Sequence, residues 1–160
     1  MNKVYLLTGS NIGDREQNLA TAREWVNSEC GKIINSSSLY ETAAWGKTDQ
    51  PAFLNQALEV HTSLNAQELI HVIFKIEKKM GRVRREKYGP RLIDIDILFF
   101  NDEIHKTPLL EIPHPEMQNR RFVLLPLAEI APATIHPVFK KTVLQLLDEC
   151  PDKLSVKKYR

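Results

Sequence analysis

Residues 81–100 read Gly-Arg-Val-Arg-Arg-Glu-Lys-Tyr-Gly-Pro-Arg-Leu-Ile-Asp-Ile-Asp-Ile-Leu-Phe-Phe, and the two halves of this stretch differ in character. The first half is strongly basic, with Glu86 as its one acidic residue. The second half, residues 92–100, is apolar except for Asp94 and Asp96. Successive side chains of a strand point to opposite faces, so the aspartates share one face and the isoleucines share the other. The stretch predicts a basic loop that leads into a mostly buried strand.

Asp94 and Asp96 would lie about 6.5–7 Å apart on such a strand. Two carboxylates this close in apolar surroundings repel each other, and burying them without a partner is costly. A wet acidic face is the ordinary explanation of an Asp-x-Asp pattern, but the apolar residues 97–100 favour a buried strand instead. Mg²⁺ would remove the repulsion, because it binds carboxylate oxygens together with water and phosphate oxygens. With the basic loop beside it, the pattern predicts a metal–nucleotide site.

The composition is that of a globular protein. The chain has 160 residues, 42% hydrophobic and 26% charged, and we expect a single domain over residues 1–160. A net charge of +2 is too small to indicate a nucleic-acid or membrane surface by itself. No apolar run approaches the ~20 residues of a membrane span, and the N-terminus lacks a signal-peptide pattern. Cys30 and Cys150 form no cysteine pattern and no secretion signal precedes them, so we expect free thiols and a cytoplasmic location. A monomer is the default expectation.

The predicted elements follow the order strand, helix, strand, strand, helix, strand. We expect the strands at residues 3–8, 33–40, 54–61 and 92–100. This order is the split βαβ, or ferredoxin-like, βαββαβ arrangement. The predicted fold class is therefore α+β, with helices over one face of an antiparallel sheet. C-terminal elements extend this core: an irregular segment or edge strand at 108–113, a short helix at 126–131 and an amphipathic helix at 142–150.

Capping patterns mark where the two core helices begin. Asp14 is followed three residues later by Gln17, and Asn65 by Glu68, as in a capping box. The second helix carries the clearest apolar stripe of the chain, at spacings typical of a helix. Its members are Leu69, Val72, Ile73, Ile76 and Met80.

A connection of 13 residues, 41–53, joins the second and third predicted strands. A hairpin needs only ~2–5 loop residues, and long loops in compact domains are often functional. Trp45 and Phe53 favour a functional loop over an insertion without function, because aromatic side chains in loops usually pack on something. Residues 46–48 read Gly-Lys-Thr, but Glu41 and Pro51 stand where a phosphate-binding P-loop requires a glycine and a helix. We therefore reject a P-loop.

Several motifs together resemble one enzyme family. Residues 87–98, Lys-Tyr-Gly-Pro-Arg-Leu-Ile-Asp-Ile-Asp-Ile-Leu, look like the signature of the 6-hydroxymethyl-7,8-dihydropterin pyrophosphokinase family of folate biosynthesis. Further fragments fall in the expected order along nearly the whole chain: Gly9-Ser-Asn11, Tyr40-Glu-Thr42, Asp49-Gln-Pro51, Phe53-Leu-Asn55, Ile112-Pro-His-Pro115, Arg121-Phe-Val-Leu124 and Pro126-Leu-Ala-Glu-Ile-Ala-Pro132.

The resemblance implies a reaction. The enzyme would transfer the β,γ-pyrophosphoryl unit of ATP, its co-substrate, to the hydroxymethyl oxygen of the pterin and release AMP. Asp94 and Asp96 would act as catalytic groups that hold two Mg²⁺ ions, and such transfers depend mainly on positioning and charge stabilisation. The hydroxyl proton could pass to Asp96 or to a water.

The resemblance also assigns the nucleotide contacts. Arg82 and Arg91 would be catalytic clamps on the phosphates, a role that suits a permanently charged, planar fork of donors. Arg84, His114 and Arg120 would contribute to nucleotide binding.

For the pterin, the resemblance implies a ring stacked between Phe53 and Phe122. The amide of Asn55 both donates and accepts, which would match the guanidine-like edge of the pterin. Backbone groups around three further residues would complete the pocket: Thr42, Ala43 and Trp45.

Two other interpretations remain open at this point. A ferredoxin-like fold also hosts RNA-binding modules, but residues 36–39 and 92–100 do not fit their aromatic strand motifs. A small-molecule regulatory domain without turnover is the second. We expect the enzyme, with no nucleic acid and no membrane among its partners.

Overall fold

The computed structural model of the chain describes residues 1–43, 51–81 and 91–160. Its strands are β1 (Asn2–Ser10), β2 (Lys32–Ser36), β3 (Tyr40–Thr42), β4 (Phe53–Thr62), β5 (Asp94–Phe100), β6 (His105–Lys106), β7 (Glu111–Ile112) and β8 (Val156–Lys158). Its α-helices are α1 (Arg15–Trp25), α2 (Ala66–Lys79), α3 (Arg121–Ile130) and α4 (Val143–Glu149).

An antiparallel sheet forms the centre of the fold, with the strand order β5-β1-β4-β3-β8. The strand β2 also pairs with β4, beside β3. The predicted core strands thus lie in the order fourth, first, third, second, and the predicted ferredoxin-like α+β fold is confirmed. The short strands β6 and β7 pair with each other in a separate hairpin.

The predicted second strand, residues 33–40, is wrong as one element, because it divides into β2 and β3. Ser37 lies at the break and is buried. Its hydroxyl oxygen accepts a hydrogen bond from Ala57 N at 2.9 Å, and its carbonyl oxygen accepts one from the Gln56 amide at 2.8 Å. A side-chain oxygen thus takes a place in the ladder, and the regular pairing is interrupted there.

The helices α1 and α2 cover one face of the sheet. The Asp14 carboxylate caps α1 by accepting from Gln17 N at 3.1 Å, whereas the Gln17 amide donates forward to Thr21 at 3.2 Å. At α2 the capping box between Asn65 and Glu68 forms in both directions, as predicted. The apolar faces of both helices pack with Val4, Leu6 and other buried strand residues in one core cluster.

The opposite face of the sheet is covered as well, by α3 and α4. Tyr5 and Leu7 of β1 point to this side, and they pack with Val123, Leu127 and other buried residues in a second cluster. The Glu129 carboxylate of α3 accepts hydrogen bonds from Ser38 N at 2.9 Å and from the Tyr40 hydroxyl at 2.5 Å. These bonds attach α3 to the start of β3. The prediction of one covered face therefore holds only for the first two helices.

The predicted start of the third helix at Pro126 is wrong. The helix α3 begins at Arg121 and carries Pro126 in its interior. A proline there removes one backbone hydrogen bond, which argues against helix in a local reading of the sequence. Buried Val123, Leu124 and Leu127 hold the helix against the sheet, so tertiary packing overrides the local preference.

The fourth helix is confirmed, with Thr142 as its cap in a capping box with Gln145. Cys30 and Cys150 are buried free thiols, as expected. Among the helices of the described residues, none combines the length and apolar character that crossing a membrane requires.

Gly31 ends the turn after α1 and lies directly against β4. A Cβ atom at this position would overlap the His61 carbonyl oxygen and come within 2.9 Å of Thr62 Cα. Both are backbone atoms and cannot move aside independently. We expect Gly31→Ala to destabilise the fold by about 1–3 kcal/mol, a fall in melting temperature of roughly 2–12 °C.

Thermal unfolding followed by circular dichroism tests this. Glu24→Ala, on the exposed side of α1, is the matched control and should stay within about 0.5 kcal/mol of the wild type. A Gly31→Ala protein as stable as the control would contradict the close packing.

Candidate active site

The strand β5 presents its two aspartates on one face, as the alternation predicts. Ile95 and Ile97 are buried on the other face, while Asp94 and Asp96 are partly exposed. The strand begins at Asp94, two residues later than predicted. The carboxylates therefore face a cavity rather than the core or open solvent.

That cavity, which we call the aromatic cleft, has a volume of about 220 Å³. Its lining includes every described residue to which we assigned a site role: Thr42, Ala43, Phe53, Asn55, Arg91, Asp94, Asp96, His114, Arg120 and Phe122. Leu7, Gly9, Leu98 and Val123 also line it, and the sequence analysis gave none of these four a role. Trp45, Arg82 and Arg84 lie outside the described residues.

A second cavity, the polar cleft, adjoins the first and has a volume of about 420 Å³. Residues from both clefts meet at the carboxylate pair, because Arg91, Asp94, Asp96, His114 and Arg120 line both. The two aspartates thus lie where two binding spaces join. This placement suits a reaction in which a group passes from one bound molecule to another.

Glu77 of α2 fixes the backbone between the two aspartates, a role that the sequence analysis missed. Its buried carboxylate accepts a hydrogen bond from Ile95 N at 2.9 Å. Glu77 lies four residues after Ile73, on the buried side of the helix. This position on the apolar stripe of α2 could have marked Glu77 in the sequence, because a buried charged side chain needs a hydrogen-bond or charge partner.

Asn11, the residue after β1 and the last of the Gly9-Ser-Asn11 motif, joins two parts of the cleft. It is fully buried, and its Oδ1 accepts from Arg91 N at 2.6 Å while its own N donates to the Arg91 carbonyl oxygen at 2.9 Å. Its Nδ2 donates to the Pro51 carbonyl oxygen at 3.1 Å. These bonds hold Arg91 beside the aspartates, with its Nε 3.9 Å from Asp94 Oδ1.

Asn55 is buried at the floor of the aromatic cleft. Its Nδ2 donates to the Thr8 carbonyl oxygen at 3.3 Å, and its Oδ1 has no hydrogen-bond partner among the described residues. Gly9 permits this placement, because a Cβ there would overlap the Asn55 amide nitrogen. A buried acceptor without a partner is costly. A bound molecule with an N–H donor would satisfy it.

His114 lies between the two clefts in the neutral state. Its backbone N donates to the Leu98 carbonyl oxygen at 3.2 Å, and its ring Nδ1 accepts from Glu116 N at 3.4 Å. The neutral ring then carries its proton on Nε2, which can donate. Burial, and secondarily the charge of Arg120, lower the His114 pKa to about 4. The ring is therefore a neutral donor at physiological pH.

The carboxylate pair fits a hard divalent cation. Within residues 1–43, 51–81 and 91–160 there is no cluster of three or more His, Cys, Asp or Glu that could enclose a metal ion. Two carboxylates at an open cleft match Mg²⁺, which usually takes one or two carboxylates and completes its shell with waters and phosphate oxygens. The same pair does not match a structural zinc site, which uses four sulfur or nitrogen ligands.

Comparison with known proteins identifies the family. Residues 5–132 match the sequence model of the 7,8-dihydro-6-hydroxymethylpterin-pyrophosphokinase (HPPK) family. This chain belongs to that family. The match includes every residue to which we assigned a site role, and it ends before α4 and β8.

Individual relatives agree with the HPPK assignment. The 2-amino-4-hydroxy-6-hydroxymethyldihydropteridine pyrophosphokinase of Aquifex aeolicus is 46% identical over 149 residues, 93% of this chain and 92% of that protein. The Bacillus subtilis protein of the same name is 47% identical over 130 residues, 81% of this chain and 78% of that one. A crystal structure of Plasmodium falciparum HPPK-DHPS matches the fold with a TM-score of 0.75 at 23% identity, covering 93% of this chain and 43% of that chain.

The lowered pKa of His114 makes stability depend on pH. The unfolded chain binds a proton at this ring below its ordinary value of 6.5, whereas the folded protein does so only near 4. The contribution of the neutral His114 ring to folding stability is therefore fully present above the unfolded pKa of 6.5. It is lost as the pH falls from 6.5 towards the folded pKa of about 4. We expect this ring to account for a loss of about 2 kcal/mol between roughly pH 7 and pH 5.

Denaturant unfolding at both pH values measures this loss. His114→Asn, which cannot take up a proton, should show a smaller fall than the wild type. His136→Asn corrects for the other histidine whose pKa burial lowers. An identical fall in the wild type and His114→Asn would contradict a neutral, partly buried His114.

Proposed function

We infer that this chain is a diphosphotransferase that moves pyrophosphate from ATP to the hydroxymethyl group of 6-hydroxymethyl-7,8-dihydropterin, a step of folate biosynthesis. The observation that carries this conclusion is the carboxylate pair at the junction of two adjoining clefts. HPPK family membership and the names of the relatives support the same reaction.

In this reaction the hydroxymethyl oxygen of the pterin forms a bond to the β-phosphorus of ATP. The bond from that phosphorus to the oxygen bridging the α-phosphate breaks, and AMP leaves with the electron pair. The hydroxyl proton passes to Asp96 or to a water. The task of the protein is to hold both substrates in line and to oppose the charge on the phosphates.

We propose Asp94 and Asp96 as ligands of two Mg²⁺ ions. When bound, such ions supply positive charge to the phosphate oxygens. The support is the pair of oxygen-donor side chains on one face of β5, with Glu77 fixing the backbone between them.

Cationic and neutral donors around the pair form the proposed nucleotide site. Arg91 is buried, with its guanidinium near Asp94, and a second arginine, Arg120, lines both clefts. The His114 ring would add a neutral N–H. Arg82 and Arg84 complete the proposal as phosphate and nucleotide contacts on the basic segment.

The aromatic cleft is the proposed pterin pocket. Phe53 and Phe122 supply two rings for stacking. The buried Asn55 Oδ1 can accept a hydrogen bond from a pterin N–H. Three further residues belong to this part of the proposal: Thr42, Ala43 and Trp45.

The competing RNA-binding interpretation is not favoured. Modules of that class stack bases on an open face of their sheet. Here β1 is buried on both faces, with α1 and α2 on one side and α3 and α4 on the other. The described sheet leaves no such face around β1.

We also propose that the enzyme works as a monomer in the cytoplasm. Both cysteines are free thiols, which are typical of a reducing compartment.

The carboxylate pair should be essential for turnover. We expect Asp94→Asn and Asp96→Asn each to lower pterin-dependent formation of AMP by at least about a hundredfold, because each removes a carboxylate that would hold Mg²⁺ beside the reacting phosphates. AMP release from ATP, measured with and without added pterin, gives the rate. Asp148→Asn, on the exposed side of α4, is the matched control. Undiminished turnover in both active-site variants, or wild-type AMP formation independent of pterin, would refute the proposed function.

Asn55 should recognise the pterin and not the nucleotide. We expect Asn55→Ala to weaken pterin binding by roughly 5- to 100-fold, the effect of losing a buried hydrogen-bond partner. Calorimetric titration of the pterin, with Mg²⁺ and a non-hydrolysable ATP analogue present, measures this. Affinity for the ATP analogue should stay at the wild-type value and serves as the internal control. An equal loss of affinity for the pterin and for the ATP analogue would show that Asn55 does not contact the pterin specifically.

A further inference from the structure

Arg15, the first residue of α1, contacts the chain on both sides of residues 44–50. Its Nη1 lies 2.6 Å from Glu41 Oε2 and donates to the Ala52 carbonyl oxygen at 2.9 Å. The sequence analysis gave Arg15 no role. Its side chain is 23% exposed, which is low for an arginine and indicates a fixed position.

These two contacts lie directly beside residues that line the aromatic cleft. The ladder between β3 and β4 ends at the pair Thr42 and Phe53, which both line the cleft. Glu41 precedes Thr42, and Ala52 precedes Phe53. Arg15 itself is not among the residues that line the aromatic or the polar cleft. Arg15 therefore contacts the residues next to Thr42 and Phe53 without lining the cleft itself.

The C-terminal segment supports Arg15 from a third side. Its guanidinium carbon lies 5.7 Å from the centre of the Tyr159 ring. The Tyr159 hydroxyl donates to Glu16 at 2.9 Å, and Arg160 pairs with the same carboxylate at 3.0 Å. The strand β8 pairs with β3, and the Thr42 hydroxyl donates to the Ser155 carbonyl oxygen at 3.1 Å.

We propose that Arg15 is a positioning residue for the pterin pocket, which it shapes by holding Glu41 and Ala52 and thereby the Thr42–Phe53 pair. This inference rests on the proposed function, because it assigns the aromatic cleft to the pterin. One guanidinium nitrogen, Nη1, contacts both Glu41 and Ala52, and the planar group lies near the Tyr159 ring. A lysine ammonium has donors for the two oxygens but lacks the planar group that packs near the ring. Arg15→Lys should therefore keep part of the positioning function of Arg15, and Arg15→Ala should keep none.

Steady-state kinetics with both substrates varied test the assignment. We expect Arg15→Ala to raise the KM for the pterin by about tenfold, with the KM for ATP and kcat near wild-type values. Arg15→Lys should give an intermediate KM for the pterin. Glu41→Gln, which keeps an acceptor and removes the charge, should raise the same KM by less than Arg15→Ala.

Lys141→Ala is the matched control, because Lys141 forms a comparably short ion pair with Glu149 at 2.5 Å, joining α4 to the residue before its cap. It should leave both KM values unchanged. Melting temperatures of all variants should stay within about 4 °C of the wild type, since partly exposed ion pairs contribute little to stability.

An unchanged KM for the pterin in Arg15→Ala would overturn the inference. An equal rise in both KM values, with a large fall in melting temperature, would also overturn it, by showing a general structural role. Both results presuppose a wild type that forms AMP in a pterin-dependent way. A wild type without that activity would instead refute the proposed function itself.

Discussion

Electrostatic repulsion between Asp94 and Asp96 is the constraint on which the rest of the site depends. Alternation along β5 places both carboxylates on one face, and the buried isoleucines opposite prevent the strand from turning them away. The surrounding charges oppose this repulsion. Arg91 is held nearby by Asn11, and the Glu77 carboxylate accepts a hydrogen bond from the backbone between the pair. The site is therefore built around a cluster of negative charge that favours a cation.

The sheet explains how this site can be both buried and reachable. Helices pack on both faces of β1, which pairs with β4 on one side and β5 on the other. Gly9 lies at that end and leaves room for the Asn55 side chain. The clefts open where the strands stop, while the interior remains fully packed. Rigid strands thus present Asn55 and the aspartates from opposite sides of β1.

Local patterns predicted the parts of the molecule that local forces decide. The alternation in β5 and the apolar stripe of α2 both depend on spacing along the chain. The break between β2 and β3 at Ser37 could not be predicted, because the Ser37 hydroxyl accepts a hydrogen bond from Ala57, twenty residues away. Pro126 suggested a helix start, and only packing against the sheet shows that it lies within α3.

The site was predictable to a similar extent. Motifs resembling the family identified ten of the fourteen residues that line the aromatic cleft, but gave no role to the residues that hold them. Glu77, Asn11 and Arg15 act through contacts between 18 and 80 positions apart in the chain. Such contacts follow from the three-dimensional path of the backbone, and no pattern in a short window contains them.

The strand β8 has a consequence for how the molecules behave toward one another. It covers β3, and a sheet edge of this kind could otherwise pair with a strand of another molecule. Lys157 and Lys158 are exposed on β8, so a second copy that approached in strand alignment would meet like charges. The strand β8 thereby disfavours association of two molecules through this edge of the sheet, next to the strand that carries Thr42 of the aromatic cleft.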